Sequence, residues 1–459
     1  MQPSAWLPLA VLSAAAACGA ATLPRYGGTL RVEMRAAPPA LDPAAQDAAS
    51  LASLVFETLV RIDAAGAPQP WLALSWQHDA AAKRWQFTLR PGVKFHDGSP
   101  LTAAAVAASL QPVLPGASVT AAGDAVTIRA SRPLPDLLIG LAHAGLICGR
   151  NSEGGFTGTG PFRLTAFEAG RRATFSANQD YWGGRPFLDA IDVQLGRGPR
   201  DQLADLELGK ADVVEAGPTD VRRASEHGRT IWSSSAASLI ALLFPPPLPG
   251  RTGDARVREA LALSIDRAAM HTVLLQKQGE ITAALLPQWI SGYAFAFPAA
   301  PDLPRARTLA SALPPAARTL TLTYDSAMRA GRSLADRVAV NARDAGLNVQ
   351  VAPQNPHADV RLVEVRLDSL DPAQALAGLA AALGLQSPVT PAHAESGASP
   401  AALYEDERKL LEGCRAIPLF HLPILYGVAG RVRVYGTAPP ITRLGDWRFG
   451  NVWLSGTAP

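Results

Sequence analysis

Residues 85–101 read WQFTLRPGVKFHDGSPL and carry the clearest structural pattern in the chain. The first residues of this stretch alternate apolar and polar side chains, as in a strand with one buried face, and Pro91-Gly92 ends that strand. A second short strand, residues 93–96, runs into Asp97-Gly98, whose glycine supplies the positive φ of a tight turn. Thr102 then has the side chain of a helix N-cap before an Ala-rich segment, which predicts a helix.

Outside this stretch, helix-like and strand-like segments alternate along the chain. Residues 201–208 predict a helix that ends at Gly209, and residues 254–275 predict a longer helix. Residues 333–351 again give a helix, a glycine and a strand, and this recurring order is typical of α/β proteins. The pattern breaks at Pro245-Pro246-Pro247, which we take as the boundary between the two halves of the chain.

The composition is that of a globular protein. The chain has 459 residues, of which 48% are hydrophobic and 18% charged, and this length predicts more than one domain. The net charge of +3 and the lack of a dense basic run argue against nucleic-acid binding. The sequence contains none of the common nucleophile, zinc-protease or phosphate-loop motifs and no Cys/His cluster with metal spacing, so we expect neither an enzyme nor a cofactor.

The N-terminus resembles a secretory signal. Residues 1–24 contain no charged side chain and combine a short apolar segment with small residues, which predicts a signal peptide and a periplasmic or cell-envelope location. Ala15-Ala16-Ala17-Cys18 resembles a lipoprotein cleavage site, so Cys18 is either lipidated or lost by cleavage nearby. The remaining cysteines, Cys148 and Cys414, either form a disulfide or remain small buried apolar side chains.

Several segments, in this order along the chain, resemble the extracellular solute-binding proteins of the dipeptide/oligopeptide class (family 5) of ABC transporters. Residues 85–101 are the most specific of them, because family members carry a nearly identical run. The other segments are residues 28–32 with Leu41-Asp42-Pro43, residues 158–162 with residues 178–182, residues 257–261 with residues 265–267, and residues 417–420. Together they cover nearly the whole chain after residue 25.

The resemblance implies an α/β, two-lobed periplasmic-binding-protein fold, of type II in its large three-subdomain form, with mixed sheets and an interlobe ligand cleft. Lobe I would comprise residues 25–243, with a subdomain inserted at about residues 50–157, and residues 428–459 would return to it. Lobe II would comprise residues 244–427. The ligand would bind between the lobes, which would close around it by a hinge motion.

One segment bears on the ligand. Peptide-binding members of the family hold the ligand's ammonium with an aspartate three residues before an acidic-Pro pair, and Asp368 stands three residues before Asp371-Pro372. A carboxylate facing an ammonium makes a charge-assisted contact, whereas the alternative is an ordinary solvated or helix-capping Asp. Arg366, Leu41 and Tyr426 are the further candidate ligand-binding residues.

The resemblance also implies a function and partners. The protein would be the extracytoplasmic solute-binding component of an ABC importer for oligopeptides or similar small solutes. It would act as a monomer and deliver its ligand to permease subunits in the inner membrane. The alternative is a degenerate family member that serves as a non-transport envelope scaffold or interaction protein, which the apparently shortened segment after Pro372 favours.

Overall fold

The structure is a computed structural model that describes residues 23–43, 45–63, 65–142, 146–147, 149–150, 155–246, 254–293, 297–386 and 399–456. Cys18, Cys148 and the predicted signal peptide, apart from its last two residues, lie outside these ranges. Export, lipidation and cysteine pairing therefore stay predictions.

The described part of the chain is built from many short strands and helices. The strands are β1 (Thr29–Glu33), β2 (Glu57–Thr58), β3 (Val60–Ile62), β4 (Pro68–Pro70), β5 (Ala73–His78), β6 (Arg84–Leu89), β7 (Ala117–Ala122), β8 (Ala125–Ala130), β9 (Leu146–Ile147), β10 (Gly149–Arg150), β11 (Phe156–Thr157), β12 (Phe162–Glu168), β13 (Arg172–Ala177), β14 (Ala190–Gln194), β15 (Val213–Ala216), β16 (Thr230–Leu243), β17 (Glu280–Ile281), β18 (Thr319–Tyr324), β19 (Asn348–Val351), β20 (Val360–Arg366), β21 (Ala416–Val428), β22 (Val432–Val434) and β23 (Val452–Leu454). The helices are α1 (Ala49–Val55), α2 (Ala103–Leu110), α3 (Leu137–Leu141), α4 (Pro199–Glu207), α5 (Asp220–Glu226), α6 (Ala255–Ser264), α7 (Arg267–Val273), α8 (Gln288–Ser291), α9 (Leu303–Ser311), α10 (Gly331–Asp344), α11 (Pro372–Ala382) and α12 (Pro400–Leu411). Within the described ranges, none of these helices combines the length and the apolar character needed to cross a membrane.

One large mixed sheet connects most of the molecule. Its strands lie in the order β12-β13-β14-β1-β15-β21-β16-β20-β18-β19, and β17 also pairs with β21. β1 runs parallel to β14 and β15, whereas β16 and β21 run antiparallel to each other. This mixture of parallel and antiparallel strands, with helices between them, agrees with the predicted α/β class.

The two longest strands, β16 and β21, pass through two different hydrophobic cores. Trp232 and Tyr426 belong to a core built around β1 and β14, which packs against α1. Farther along the same pair, Ile240 and Phe420 belong to a second core, formed with α6 and α10. The change of core therefore occurs inside the strands, and we propose the lobe boundary there rather than at residues 243 and 427.

The ladder between β16 and β21 is interrupted where the cores change. Its register shifts between Ser233 and Ser238, and at this point β21 contains Pro423, which has no backbone N–H to donate. The next amide, that of Ile424, donates to the Ser234 hydroxyl at 2.8 Å instead of to a strand carbonyl. Fewer ladder bonds would have to change for the sheet to twist at this point.

A smaller sheet of β5, β6, β8 and β7 lies within residues 50–157, the range predicted for the inserted subdomain. Its core lies between Leu59 and Ile147 in sequence and includes Trp85, Phe87 and Leu89, all at most 5% exposed. The strand predicted from their alternation is confirmed. The predicted N-cap also forms, because the Thr102 hydroxyl accepts the Ala105 amide at 3.2 Å.

The subdomain joins the large sheet through a close backbone crossing. The Gly160 amide donates to the Val55 carbonyl at 2.8 Å, and a Cβ atom on Gly158 or Gly160 would collide with that carbonyl. His96 Nε2 lies 2.9 Å from the Gly160 carbonyl oxygen, and burial lowers the pKa of His96 to about 4. The glycines and His96 thus hold the scaffold together, and His96 does not line the cavity described below.

The predicted long helix over residues 254–275 is wrong in one respect, because the structure has two helices there. α6 ends at Ser264 and α7 begins at Arg267. The Asp266 side chain accepts the Ala269 amide at 2.9 Å and caps the second helix. An aspartate inside a helical pattern favours this local hydrogen bond over continued helix.

A buried carboxylate on α12 organises the loop that follows β17. Glu407 is 0% exposed, and it accepts the amides of Leu285 and Leu286 and the hydroxyl of Tyr293. Burial raises the pKa of Glu407 to about 7, against the opposing effect of those backbone amides. The folded protein therefore binds a proton at Glu407 more tightly than the unfolded chain does.

We predict that Glu407→Gln weakens the pH dependence of stability. A carboxyl whose pKa is higher in the folded protein than in the unfolded chain stabilises the fold at pH values below the unfolded-state pKa. This stabilisation is lost as the pH rises to the folded-state pKa. As the pH rises from 4.5 to about 7, the free energy of unfolding of the wild type should fall by about 3 kcal/mol because Glu407 loses its proton. Urea unfolding at several pH values should show this loss in the wild type but not in the variant. Glu405→Gln, an exposed neighbour on the same helix, should behave like the wild type, and equal pH slopes for Glu407→Gln and wild type would contradict the assignment.

Candidate functional site

A cavity of about 260 Å³ lies at the edge of predicted lobe I, where Asp368 of predicted lobe II also reaches its wall. Most of its wall comes from the start of lobe I and the edge of the inserted subdomain, and a second part comes from the C-terminal return segment. Asp368 is the wall residue from predicted lobe II. The described residues that line it are Pro43, Ala45, Gln46, Ala49, Ser53, Phe56, Glu57, Thr58, Arg61, Val113, Ala142, Leu146, Asp368, Thr442, Asp446, Trp447 and Arg448.

Asp368 reaches the cavity because of the turn between β20 and α11. Leu367, just before it, is 1% exposed and anchors the turn in the core, whereas Asp368 itself is exposed. The Asp368 carboxylate packs against Gly378 of α11, where a Cβ atom would collide with it. The missing side chain at Gly378 thus leaves room for the carboxylate at this place on the wall.

Asp371, rather than Asp368, caps the helix that follows β20. It is the N-cap of α11, and its side chain accepts the Gln374 amide at 2.8 Å, with Pro372 at the first helical position. Asp371 is 8% exposed, and burial raises the pKa of its carboxyl. Asp368 and Asp371 therefore differ in surroundings, and Asp371 is not a wall residue of the cavity.

The other three candidate ligand-binding residues lie away from the wall. The Arg366 guanidinium donates to the Leu444 carbonyl at 2.6 Å and pairs with Asp446 at 2.6 Å. Tyr426 is 3% exposed, and its hydroxyl donates to the Gly445 carbonyl at 3.1 Å. Leu41 packs against the core around β1. Arg366 thus holds the wall residue Asp446 in place. Tyr426 contacts the backbone beside Asp446, and Leu41 packs against the core next to the cavity.

Two arginines on the wall were not predicted from the sequence. Burial, followed by the nearby charge of Arg61, lowers the pKa of Arg448 to about 10. Burial also lowers the pKa of Arg61, whose guanidinium lies 3.2 Å from the centre of the Trp71 ring and 3.6 Å from Glu57. No motif marks either residue, because both come to the cavity only through long-range packing.

Glu57 is a buried hydrogen-bond centre at the edge of the wall. It is 2% exposed and accepts hydrogen bonds from the indoles of Trp71 and Trp182, from the Tyr181 hydroxyl and from the Thr159 hydroxyl, at 2.6–2.9 Å. These donors come from the subdomain and from the segment over residues 158–182. Glu57 therefore ties the inserted subdomain to the rest of lobe I beside the cavity.

The wall groups do not form a metal centre. Among the described residues, no group of three or more His, Cys, Asp or Glu side chains is placed to hold a metal ion. The wall instead alternates carboxylates and guanidiniums, an arrangement that suits an organic solute carrying charged groups.

The family model described as bacterial extracellular solute-binding proteins, family 5 Middle, matches residues 67–379, well over half of the chain. The chain therefore belongs to the family 5 bacterial extracellular solute-binding proteins. The resemblance noted from residues 85–101 and the other segments is confirmed.

Among curated proteins, the chain is 27% identical over 250 residues to the nickel-binding periplasmic protein of Escherichia coli, covering 48% of this chain and 47% of that protein. It is 26% identical over 249 residues to the probable D,D-dipeptide-binding periplasmic protein DdpA of E. coli, covering 48% of each. The chain thus spans about half the length of the curated relatives it matches.

Solved structures share the fold over nearly the whole chain. The E. coli murein tripeptide binding protein MppA superposes with a TM-score of 0.78 at 19% identity, covering 94% of this chain and 99% of that one. NikA of Staphylococcus aureus, in complex with Ni(L-His)2, gives a TM-score of 0.77 at 16% identity, covering 93% and 100%. The predicted two-lobed α/β fold is confirmed. The curated relatives are named as binding proteins, and the alternative of a non-transport scaffold is not favoured.

We predict that Glu57→Gln destabilises the protein. The glutamine places an amide NH2 opposite donors that now face a carboxylate oxygen, and leaving buried donors unsatisfied costs about 1–3 kcal/mol each. Urea unfolding at pH 7 should therefore show a loss of about 3 kcal/mol or more. Glu168→Gln, which removes a surface partner of Arg171, should change stability by less than about 1 kcal/mol. A similar small loss for Glu57→Gln would contradict the role of Glu57.

Proposed function

We propose that the protein is the extracytoplasmic solute-binding component of an ABC importer for oligopeptides or similar small solutes. The observation that carries the proposal is the cavity at the edge of predicted lobe I, with a carboxylate of predicted lobe II, Asp368, on its wall. Membership of the family supports it, since curated relatives are named as a nickel-binding periplasmic protein and a probable D,D-dipeptide-binding periplasmic protein. The free energy of binding comes from burying the solute and from matching its polar ends.

The proposal includes a location and partners. The N-terminal residues direct export to the periplasm or cell envelope, with Cys18 as the residue that would carry a lipid anchor. The protein, as a monomer, then passes its solute to permease subunits in the inner membrane. The family's description as extracellular solute-binding proteins supports this location.

Binding proceeds by closure of the lobes. Contacts across the predicted lobe boundary support this mode, because Arg329 of lobe II pairs with Asp220 of lobe I at 2.9 Å. Likewise Arg35 of lobe I donates to the Ala327 carbonyl of lobe II at 3.1 Å. These polar contacts can break and reform with water when the lobes separate, so they are suited to a reversible interface.

Asp368 holds the ammonium of the solute. In a closed, water-poor cavity an ion pair contributes far more than at the surface, where it gives about 0–1 kcal/mol. The position of Asp368, exposed on the wall beside Gly378, supports this role, as does its spacing before Asp371-Pro372.

We predict that Asp368→Asn weakens binding of a peptide with a free amino end by about 30-fold or more, because the buried ammonium loses its counter-charge. The probe is a synthetic library of di- and tripeptides built from Ala, Leu, Phe and Ser, titrated by calorimetry and identified by mass spectrometry. Asp371→Asn should leave the affinity unchanged, since asparagine is also a good N-cap.

Gly378→Ala provides a second test of the same site, because the new methyl group displaces the Asp368 carboxylate without removing it. This variant should also bind the peptide more weakly. Its helix should not be destabilised, because alanine favours helix more than glycine does. Equal affinities of Asp368→Asn and the wild type, or a larger loss at Asp371, would remove Asp368 from the site. No binding of any library member by the wild type would contradict the proposed peptide function.

A further inference from the structure

One end of predicted lobe I carries an exposed group of aromatic side chains beside the start of the described chain. The Tyr26 ring lies 5.1 Å from the Phe187 ring, and the Phe187 ring lies 5.5 Å from the Tyr435 ring, measured between ring centres. Tyr26 is 64% exposed and Tyr435 is 54% exposed. Leu23, three residues before Tyr26, is exposed as well. These four side chains are called the aromatic patch below.

The aromatic patch is fixed to the fold at its Tyr435 side but is left open to solvent. The Tyr435 amide donates to the Asn451 carbonyl at 2.8 Å. Val434 packs against the core around β1, so Arg433 and Tyr435, on either side of it, point away from that core. Single exposed apolar residues are ordinary, whereas a contiguous exposed group marks an interaction surface.

The charged groups that adjoin the aromatic patch are mainly basic. Arg25 and Arg433 are exposed, and neither pairs with a carboxylate of the described chain. The Arg433 guanidinium donates only to backbone carbonyls of its own hairpin within that part of the chain. The Arg185 guanidinium lies 5.1 Å from the centre of the Tyr26 ring and pairs with Asp189 at 2.5 Å. Together these groups carry a net positive charge.

The position of Cys18 in the sequence limits where the aromatic patch can lie. Leu23 is the fifth residue after Cys18, and five residues span at most about 18 Å even when fully extended. With the proposed lipid on Cys18, the aromatic patch is therefore held close to the bilayer surface. Such a short tether gives the patch a high effective concentration of lipid, so that weak contacts suffice for docking.

We propose that the aromatic patch rests on the surface of an anionic phospholipid bilayer when Cys18 carries its lipid. Tyrosine suits this place because its ring is apolar and its hydroxyl is polar, and tyrosines are enriched at membrane interfaces. Arg25 and Arg433 contact lipid phosphates, which accept bidentate hydrogen bonds from a guanidinium. This inference rests on the proposed lipidation of Cys18 and is independent of the solute that the cavity binds.

The test is hydroxyl-radical footprinting, in which mass spectrometry measures the oxidation of each side chain. The full chain is expressed in a bacterium that lipidates exported proteins, checked for the lipid by its intact mass, and reconstituted on phosphatidylcholine vesicles with about 30% anionic phosphatidylglycerol. The reference is the mature chain with Cys18→Ser, which carries no lipid, free in solution. Oxidation of Tyr26 and Tyr435 should fall severalfold on the vesicles. Val273, exposed on α7 of predicted lobe II, should react equally in both samples.

Two double variants separate docking of the patch from the effect of the lipid anchor alone. Arg25→Gln combined with Arg433→Gln removes two positive charges while the lipid still keeps the protein on the vesicle. The ratio of docked to undocked protein should fall by about 30-fold, so oxidation of both tyrosines should return toward the level in solution. Arg332→Gln combined with Arg361→Gln, two exposed arginines of predicted lobe II, should retain the protection.

The opposite results would overturn the proposal. An intact mass without a lipid, or equal oxidation of Tyr26 and Tyr435 on vesicles and in solution, would contradict docking. Equal protection on pure phosphatidylcholine vesicles, or unchanged protection after loss of Arg25 and Arg433, would exclude an anionic lipid as the partner. Protection in solution that increases with protein concentration would identify the patch as a contact between two copies of the chain. None of these results bears on peptide binding, which calorimetry tests separately.

Discussion

The antiparallel pairing of β16 with β21 is the constraint on which the rest of the structure depends. These strands run from Thr230 to Leu243 and from Ala416 to Val428, and each contributes side chains to both large cores. Because both strands are largely buried, their backbone groups must be paired for either half to bury its part of the sheet. The register shifts near Ser234 and Pro423, so under the proposed closure this is the place where one lobe would rotate on the other.

The cavity follows from this arrangement, because the turn after β20 and the return segment after β21 both lie beside the joining strands. Arg366 on β20 pairs with Asp446 of the return segment, which fixes one wall. Asp368, two residues later, and Arg448, two residues after Asp446, then bring opposite charges to the same space. The Arg366–Asp446 pair at the back of the cavity is satisfied within the protein.

Local signals allowed much of the fold to be predicted from the sequence. The strand at Trp85, the cap at Thr102 and the cap at Asp371 depend on neighbouring residues alone. β16 was not predicted, because it is buried on both faces over residues 236–242 and shows no alternation. Arg61 and Arg448 were missed for a related reason. Each lies in an unremarkable local pattern, and only long-range packing makes its charge unusual.

Small-angle scattering can show whether two lobes joined by β16 and β21 close around a solute. The radius of gyration should be measured with and without a neutral tripeptide that calorimetry has shown to bind. With the peptide bound, we expect a smaller radius of gyration and a smaller maximum dimension, because the lobes would rotate together at the interrupted ladder. An unchanged radius of gyration at saturating peptide would contradict it.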